Sequence, residues 1–169
     1  MLDSKLKDEE YLINRTFEEI KIGDFAEISH QLLQKDIELF AIMSGDINPA
    51  HVDPEYAKSD MFHQIVAHGM WGGSLISTVL GTKLPGPGTI YLSQTLKFLH
   101  PILLNDLITA RVTVIEKDLN KNKITLNCSC FNQKNETVIS GCALVIAPGE
   151  KIRRKKVILP EVILREKHI

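Results

Sequence analysis

Residues 68–80, His-Gly-Met-Trp-Gly-Gly-Ser-Leu-Ile-Ser-Thr-Val-Leu, constrain the fold more than any other stretch of this chain. Read as a helix, Met70, Trp71, Leu75, Ile76, Val79 and Leu80 cover most of its circumference. A helix that is apolar nearly all round must be wrapped on several sides. Yet Gly69, Gly72 and Gly73 lie within it, each costing a helix interior roughly 1 kcal/mol relative to Ala. Glycines carried at that cost in a buried helix imply close backbone approach, either by a sheet or by a ligand. Gly81, Lys83 and Pro85 then give a clear stop.

The wrapping material follows directly. Residues 89–99, 107–116, 123–132 and 137–146 are rich in Ile, Val, Leu and Thr, and turn-forming residues break them at 104–106, 118–122 and 133–136. Short breaks imply antiparallel neighbours in meander-like order. Upstream, residues 26–29 alternate as a first strand. Residues 34–44 read as a helix with Asp36 and Glu38 in its opening turn. It lacks a Ser or Thr N-cap, because Leu33 and Gln34 stand there. Its apolar run, 37–43, is expected to be buried. Asp53 and Pro54 open a short helix over 53–58 as N-cap and first helical residue. The expected architecture is α+β, an antiparallel sheet curled round one long helix. Residues 1–15 read as a lead-in with little to bury and 16–148 as the domain. Residues 149–169 read as a basic tail or linker, solvated where 151–156 carry five basic residues in six.

The chain has 169 residues, 44% hydrophobic and 24% charged, enough for one domain with a proper core. A net charge of −1 gives no electrostatic footprint for nucleic acid. No apolar run approaches the roughly 18 residues of a membrane span. Residues 1–10 are charged without an apolar centre and do not read as a secretory signal. Three cysteines, an odd number, argue against a disulfide framework. Cys128 and Cys130 alternate along one strand and read as buried thiols rather than metal ligands. On these features the protein is expected to be cytoplasmic.

The chemistry concentrates in residues 44–53, Ser-Gly-Asp-Ile-Asn-Pro-Ala-His-Val-Asp. Pro49 fixes its own φ and pushes Asn48 into an extended conformation. Asp46 and His51 then stand on two sides of a rigid turn and can converge on one point. A carboxylate and an imidazole sharing one water form a general acid/base site. The same residues also make an ordinary turn, since Asn and Asp bond their own backbone two residues on. His68, first in the long helix, reads as a capped helix start. His30, His63, His100 and His168 have no partner in the sequence.

The stretch 44–53, continued by His68-Gly69-Met70 and Ser74 and by residues 84–92, resembles the MaoC-like (R)-specific enoyl-CoA hydratases. The resemblance covers roughly residues 16–147 and is closest to the hydratase-like domain that precedes phosphate acetyl/butyryl transferase domains in some bacterial fusions. The stretch from Lys151 to Glu161 would suit an interdomain linker. The resemblance implies a hot-dog fold and reversible hydration of trans-2-enoyl thioesters to (R)-3-hydroxyacyl thioesters. It implies that Asp46 and His51 are the catalytic pair, that Asn48 helps to hold them, that Gly69 lends its N–H to the thioester oxygen, and that Ser74 supports the site. No metal or redox cofactor is expected; CoA or phosphopantetheine is part of the substrate. Hot-dog domains also serve as acyl-CoA thioesterases, and a non-catalytic acyl-CoA-binding domain is a third class. The open, apolar edge at residues 89–99 calls for a partner, and a homodimer is expected.

Overall fold

The computed structural model describes residues 10–165. A five-stranded antiparallel sheet carries the fold. Its strands are β2 (Phe25–Gln31), β3 (Ile90–Phe98), β4 (Leu107–Asp118), β5 (Lys123–Phe131) and β6 (Thr137–Ile146), in the spatial order β2-β4-β5-β6-β3. On β4 the side chains of Ile108, Ala110, Val112 and Val114 point inward, and on β5 those of Ile124, Leu126, Cys128 and Cys130 do the same. That period of two is the strand signature, and it builds one continuous apolar face. The long helix lies on this face, with Trp71, Leu75, Ile76, Val79 and Leu80 buried. Numbered in chain order, the helices are α1 (Gln34–Ser44), α2 (Pro49–Val52), α3 (Pro54–Ser59) and α4 (Gly69–Thr82). The result is the expected α+β hot-dog, a curled sheet around α4.

The glycines of α4 answer to the sheet. A Cβ on Gly72 would stand 2.4 Å from Cδ1 of Ile139, and one on Gly69 would stand 2.9 Å from Cε1 of Phe98. Those neighbours belong to β6 and β3, so the glycines let sheet side chains tuck against the helix backbone.

Four expectations need correction. The apolar run of α1 is not buried as a whole: Ile37 and Ala41 are, but Ile42 and Met43 are 70% and 74% exposed. Only one stripe of this helix faces the core. Met70 likewise projects from α4 towards solvent. The sheet is not a simple meander either, because β3 pairs with β6 and not with β4. The segment after β3 leaves the sheet to cover the start of α4, where Ile102 O accepts the Ala67 N–H at 2.9 Å and Leu103 bridges Val66. The chain then re-enters at β4, three strands away. Finally, the ends are tied in. Strand β1 (Tyr11–Ile13) pairs with β7 (Arg153–Lys155), so the lead-in and the basic stretch share a two-stranded sheet. Buried Asn14 fixes the join: its Nδ2 donates to Glu150 O at 2.8 Å and its Oδ1 accepts from Ile152 N at 2.9 Å. The side chains of β7 remain exposed, as the charge run predicts.

The absent Ser/Thr cap of α1 is met from inside the helix. The Asp36 carboxylate reaches back to accept the Leu33 N–H at 2.8 Å, half of a capping box. Asp53 caps α3 as the sequence predicts, accepting from Glu55 and Tyr56 N–H.

Candidate active site

The site begins where α1 ends. Gly45 takes a left-handed conformation, φ 76°, which closes the helix and turns the chain outward. Ser44 Oγ donates to Phe40 O at 2.6 Å and accepts the Asp46 N–H at 3.1 Å. Asn48 is extended, at φ −54° and ψ 127°, as Pro49 requires. Its N–H donates to Asp46 Oδ1 at 3.1 Å, and its own Oδ1 accepts the Ala50 N–H at 3.2 Å, capping α2. Asn48 thus orients the Asp46 carboxylate on one side and starts, on the other, the short helix that carries His51.

His51 is oriented by Val66, whose carbonyl lies 2.8 Å from Nδ1. A carbonyl only accepts, so Nδ1 carries the proton and Nε2 of the neutral ring holds a lone pair. Behind His51 lies His68, only 2% exposed. Its Nε2 donates to Asp46 O at 3.0 Å. Its ring lies 4.0 Å from that of His51 and 4.9 Å from that of Phe40, centroid to centroid. Its Nδ1 is buried with no hydrogen-bond partner.

One nitrogen from each histidine and one Asp46 carboxylate oxygen lie within 4.8 Å of one another. Such a set invites comparison with a metal centre. One nitrogen of each ring already faces a backbone carbonyl, Val66 O for His51 and Asp46 O for His68, and the rings lie 4.0 Å apart at an interplanar angle of 35°.

Asp46, His51, His68, Gly69 and Met70 all line one cleft of about 650 Å³. Its remaining walls are chiefly apolar, with Phe40, Phe98, Ile102 and Ile139 prominent. The first N–H groups of an α-helix have no intrahelical acceptor, and His68 supplies none from its side chain. The cleft therefore combines a carboxylate and an imidazole, an apolar pocket and the positive end of a helix.

Of the residues expected in the site, Asp46, His51 and Gly69 line one cleft, and Asn48 stands behind them, bonded to Asp46. The structure does not bring Ser74 to them within this chain: Ser74 is exposed on α4, with Oγ donating to Trp71 O at 2.6 Å, and does not line the cleft. His68, read from the sequence as a capped helix start, makes no side-chain cap bond and instead holds the Asp46 carbonyl, a placement that sequence reasoning missed. The available signal was a histidine at the N-cap, where Ser, Thr, Asp and Asn are preferred. Among the other histidines, His100 lines the cleft. His30 contacts Asp36 at 3.2 Å and the edge of Trp71, and His63 lies 3.4 Å from Lys58 O. His168 lies outside the described residues. Cys128 and Cys130 are buried thiols as predicted; burial pushes them up to about 11 and about 12.

Comparison with known proteins gives the same class. A family model described as MaoC like domain matches residues 16–129, and this chain belongs to that family. An (R)-specific enoyl-CoA hydratase of Rhodospirillum rubrum is 44% identical over 138 residues, covering 82% of this chain and 95% of the relative. A 3-hydroxybutyryl-CoA dehydratase of Methylorubrum extorquens is 37% identical over 135 residues, covering 80% and 85%. Among solved structures, an unliganded (R)-hydratase from Pseudomonas aeruginosa superimposes with a TM-score of 0.87 at 40% identity, covering 91% of this chain and 99% of that one.

Proposed function

We propose that this protein adds water reversibly to trans-2-enoyl thioesters of CoA or an acyl carrier, giving (R)-3-hydroxyacyl thioesters. The observation that carries this reading is the His51 tautomer. With Nδ1–H committed to Val66, the free Nε2 shares the cleft with the Asp46 carboxylate. A water between them loses a proton to the pair as its oxygen bonds to C3. The C2–C3 π pair becomes a C1–C2 double bond as the carbonyl π pair moves onto the thioester oxygen, and the resulting enolate takes a proton from the pair at C2. The N–H groups at Gly69 and the start of α4 stabilise that oxygen as charge develops. Asp46 and His51 act as one coupled unit in these steps.

The site of a single chain is open. Asp46 and Gly69 are exposed, and Met70, Phe98 and Leu99 present apolar surface at the cleft. Strand β3 is an edge of the sheet with Ile90, Leu92 and Phe98 exposed along it. A second copy pairing along this edge would cover those side chains and narrow the cleft. We therefore infer a homodimer. No helix of the described residues is long and apolar enough to cross a membrane.

The decisive assay follows loss of the enoyl-thioester absorbance with crotonyl-CoA, octenoyl-CoA and an acyl-carrier substrate, with chiral analysis of the product. Hydration to the (R) alcohol supports the reading. An (S) product, or thiol release without hydration, refutes it. Light scattering with size exclusion should give about twice the 19.0 kDa chain mass; a fully active monomer would rule out the dimer.

A further inference from the structure

His68 contacts both Asp46 and His51 while only 2% exposed. It follows Ala67 at the end of the loop from α3 and immediately precedes Gly69, so its backbone sets where α4 begins. Its Nε2–H holds the Asp46 carbonyl at 3.0 Å, across 22 residues of sequence. One ring contact is with His51, 4.0 Å away, and another is with Phe40 of α1, 4.9 Å away. A polar ring buried to this degree, with Nδ1 left unpartnered, carries a desolvation cost that apolar packing would avoid. A phenylalanine would fill the same space without it. The cost makes sense if the one hydrogen bond and the stacked ring do something that packing alone does not.

We infer that His68 is a positioning residue that joins Asp46 to His51. The Asp46 loop leaves α1 through a left-handed glycine and is exposed. Its nearby restraints, from Ser44 and Asn48, are short-range bonds that travel with the loop. The His68 bond ties the loop to the helix start, a separate part of the fold. The Val66 carbonyl fixes how far His51 reaches, and the face of His68 fixes the plane in which its ring lies. Both members of the acid/base pair are thus referred to one rigid body, and that body also carries the N–H groups of α4. His68 borders the cleft, but its free nitrogen is buried without a partner, so it acts through these neighbours.

This inference rests on the hydratase reading, and the experiment separates the two. His68→Phe keeps both ring contacts and deletes the bond to Asp46; His68→Gln keeps a donor and deletes the ring contacts. Each is measured with crotonyl-CoA in the intact protein, alongside thermal melting and the single variants Asp46→Asn and His51→Ala. Both His68 variants should melt as folded proteins and lose about ten- to a hundred-fold in kcat with KM changed less than about threefold, the pattern of misplaced catalytic groups. Adding His68→Phe to Asp46→Asn should then cost less than about threefold more, because there is no carboxylate left to place. Wild-type kcat in the folded His68→Phe variant overturns the inference. So does a full additional loss in the Asp46→Asn background, or a loss expressed only in KM. If Asp46→Asn and His51→Ala themselves stay active, the acid/base reading fails instead.

Discussion

Adding one methyl group at Gly72 tests whether the sheet, rather than a ligand, dictates the glycines of α4. The new Cβ would lie 2.4 Å from Ile139 Cδ1 and 3.1 Å from Ile102 Cδ1. Carbon atoms pack at about 3.5–4.0 Å, so Ile139 must retreat by more than about 1 Å. Ile139 is buried, and its Cδ1 end can give way only towards the cleft that it lines. Overpacking of this kind costs about 1–3 kcal/mol, set against a helix-propensity gain of up to about 1 kcal/mol for Gly→Ala. Gly81, in the same helix, has nothing within 4 Å of its built Cβ and ordinary φ. Gly81→Ala therefore takes the gain without the clash. The propensity gain nearly cancels between the two variants, leaving the packing cost of about 1–3 kcal/mol as their difference. In thermal melts that is a separation of about 2–12 °C for a chain of this size. Ile139→Val removes the offending methyl; alone it should cost about 0.5–1.5 kcal/mol, but in the Gly72→Ala background it should be neutral or stabilising. Equal stability of the two alanine variants would refute the account.

Further outcomes follow from the same geometry. Asp46→Asn and His51→Ala should each reduce turnover by about 10²–10⁴-fold with unchanged circular dichroism; a folded variant of either kind retaining more than about a tenth of the activity would contradict the pairing. Near neutral pH a thiol reagent should label exposed Cys142 in the native protein, and Cys128 and Cys130 only on unfolding, since burial both shields those thiols and pushes them up to about 11 and about 12. Asp24 accepts the Lys21 N–H and pairs with Arg15 at 2.5 Å, and these bonds, the backbone one foremost, hold its carboxyl below the usual range. A carboxyl lowered in the folded state contributes stability above its ordinary unfolded value, and that contribution is lost as pH falls through the folded one. Denaturation midpoints should therefore fall below about pH 4, and less steeply in Asp24→Asn.

Much of the fold was legible because its signals are local and periodic. The β4 and β5 alternation and the all-round apolar α4 each show within a dozen residues, and they leave little choice but a sheet around a helix. What was illegible depends on long-range contacts. The break between β3 and β4 looks like a hairpin, but the Ala67 N–H bond to Ile102 O and the Leu103–Val66 bridge draw it to the start of α4. The basic stretch reads as solvated, and its side chains are, yet its backbone is a strand because Tyr11–Ile13 offers an edge. For α1, the run at 37–43 has too many apolar residues for one stripe; the packed structure buries Ile37 and Ala41 and leaves Ile42 and Met43 out.

The same division runs through the site. Asp46, Asn48 and His51 were legible because their arrangement is turn chemistry: Pro49 extends Asn48, the Asn48 amide restrains Asp46, and the Asn48 side chain caps the turn beneath His51. These are constraints between residues at most five apart, and the residue types announce them. The choice of His51 tautomer is a different matter. It depends on Val66, 15 residues away, and the placement of Asp46 depends on His68, 22 residues away. Both partners lie on the short approach to α4, residues 66–68, which the Ile102 carbonyl and the Leu103 bridge pin from the far side. So the segment that breaks the expected meander also fixes the histidine that completes the site. The crossing from β3 to β4 pins the approach to α4, which holds the 44–53 turn through Val66 and His68, and the two segments share one cleft.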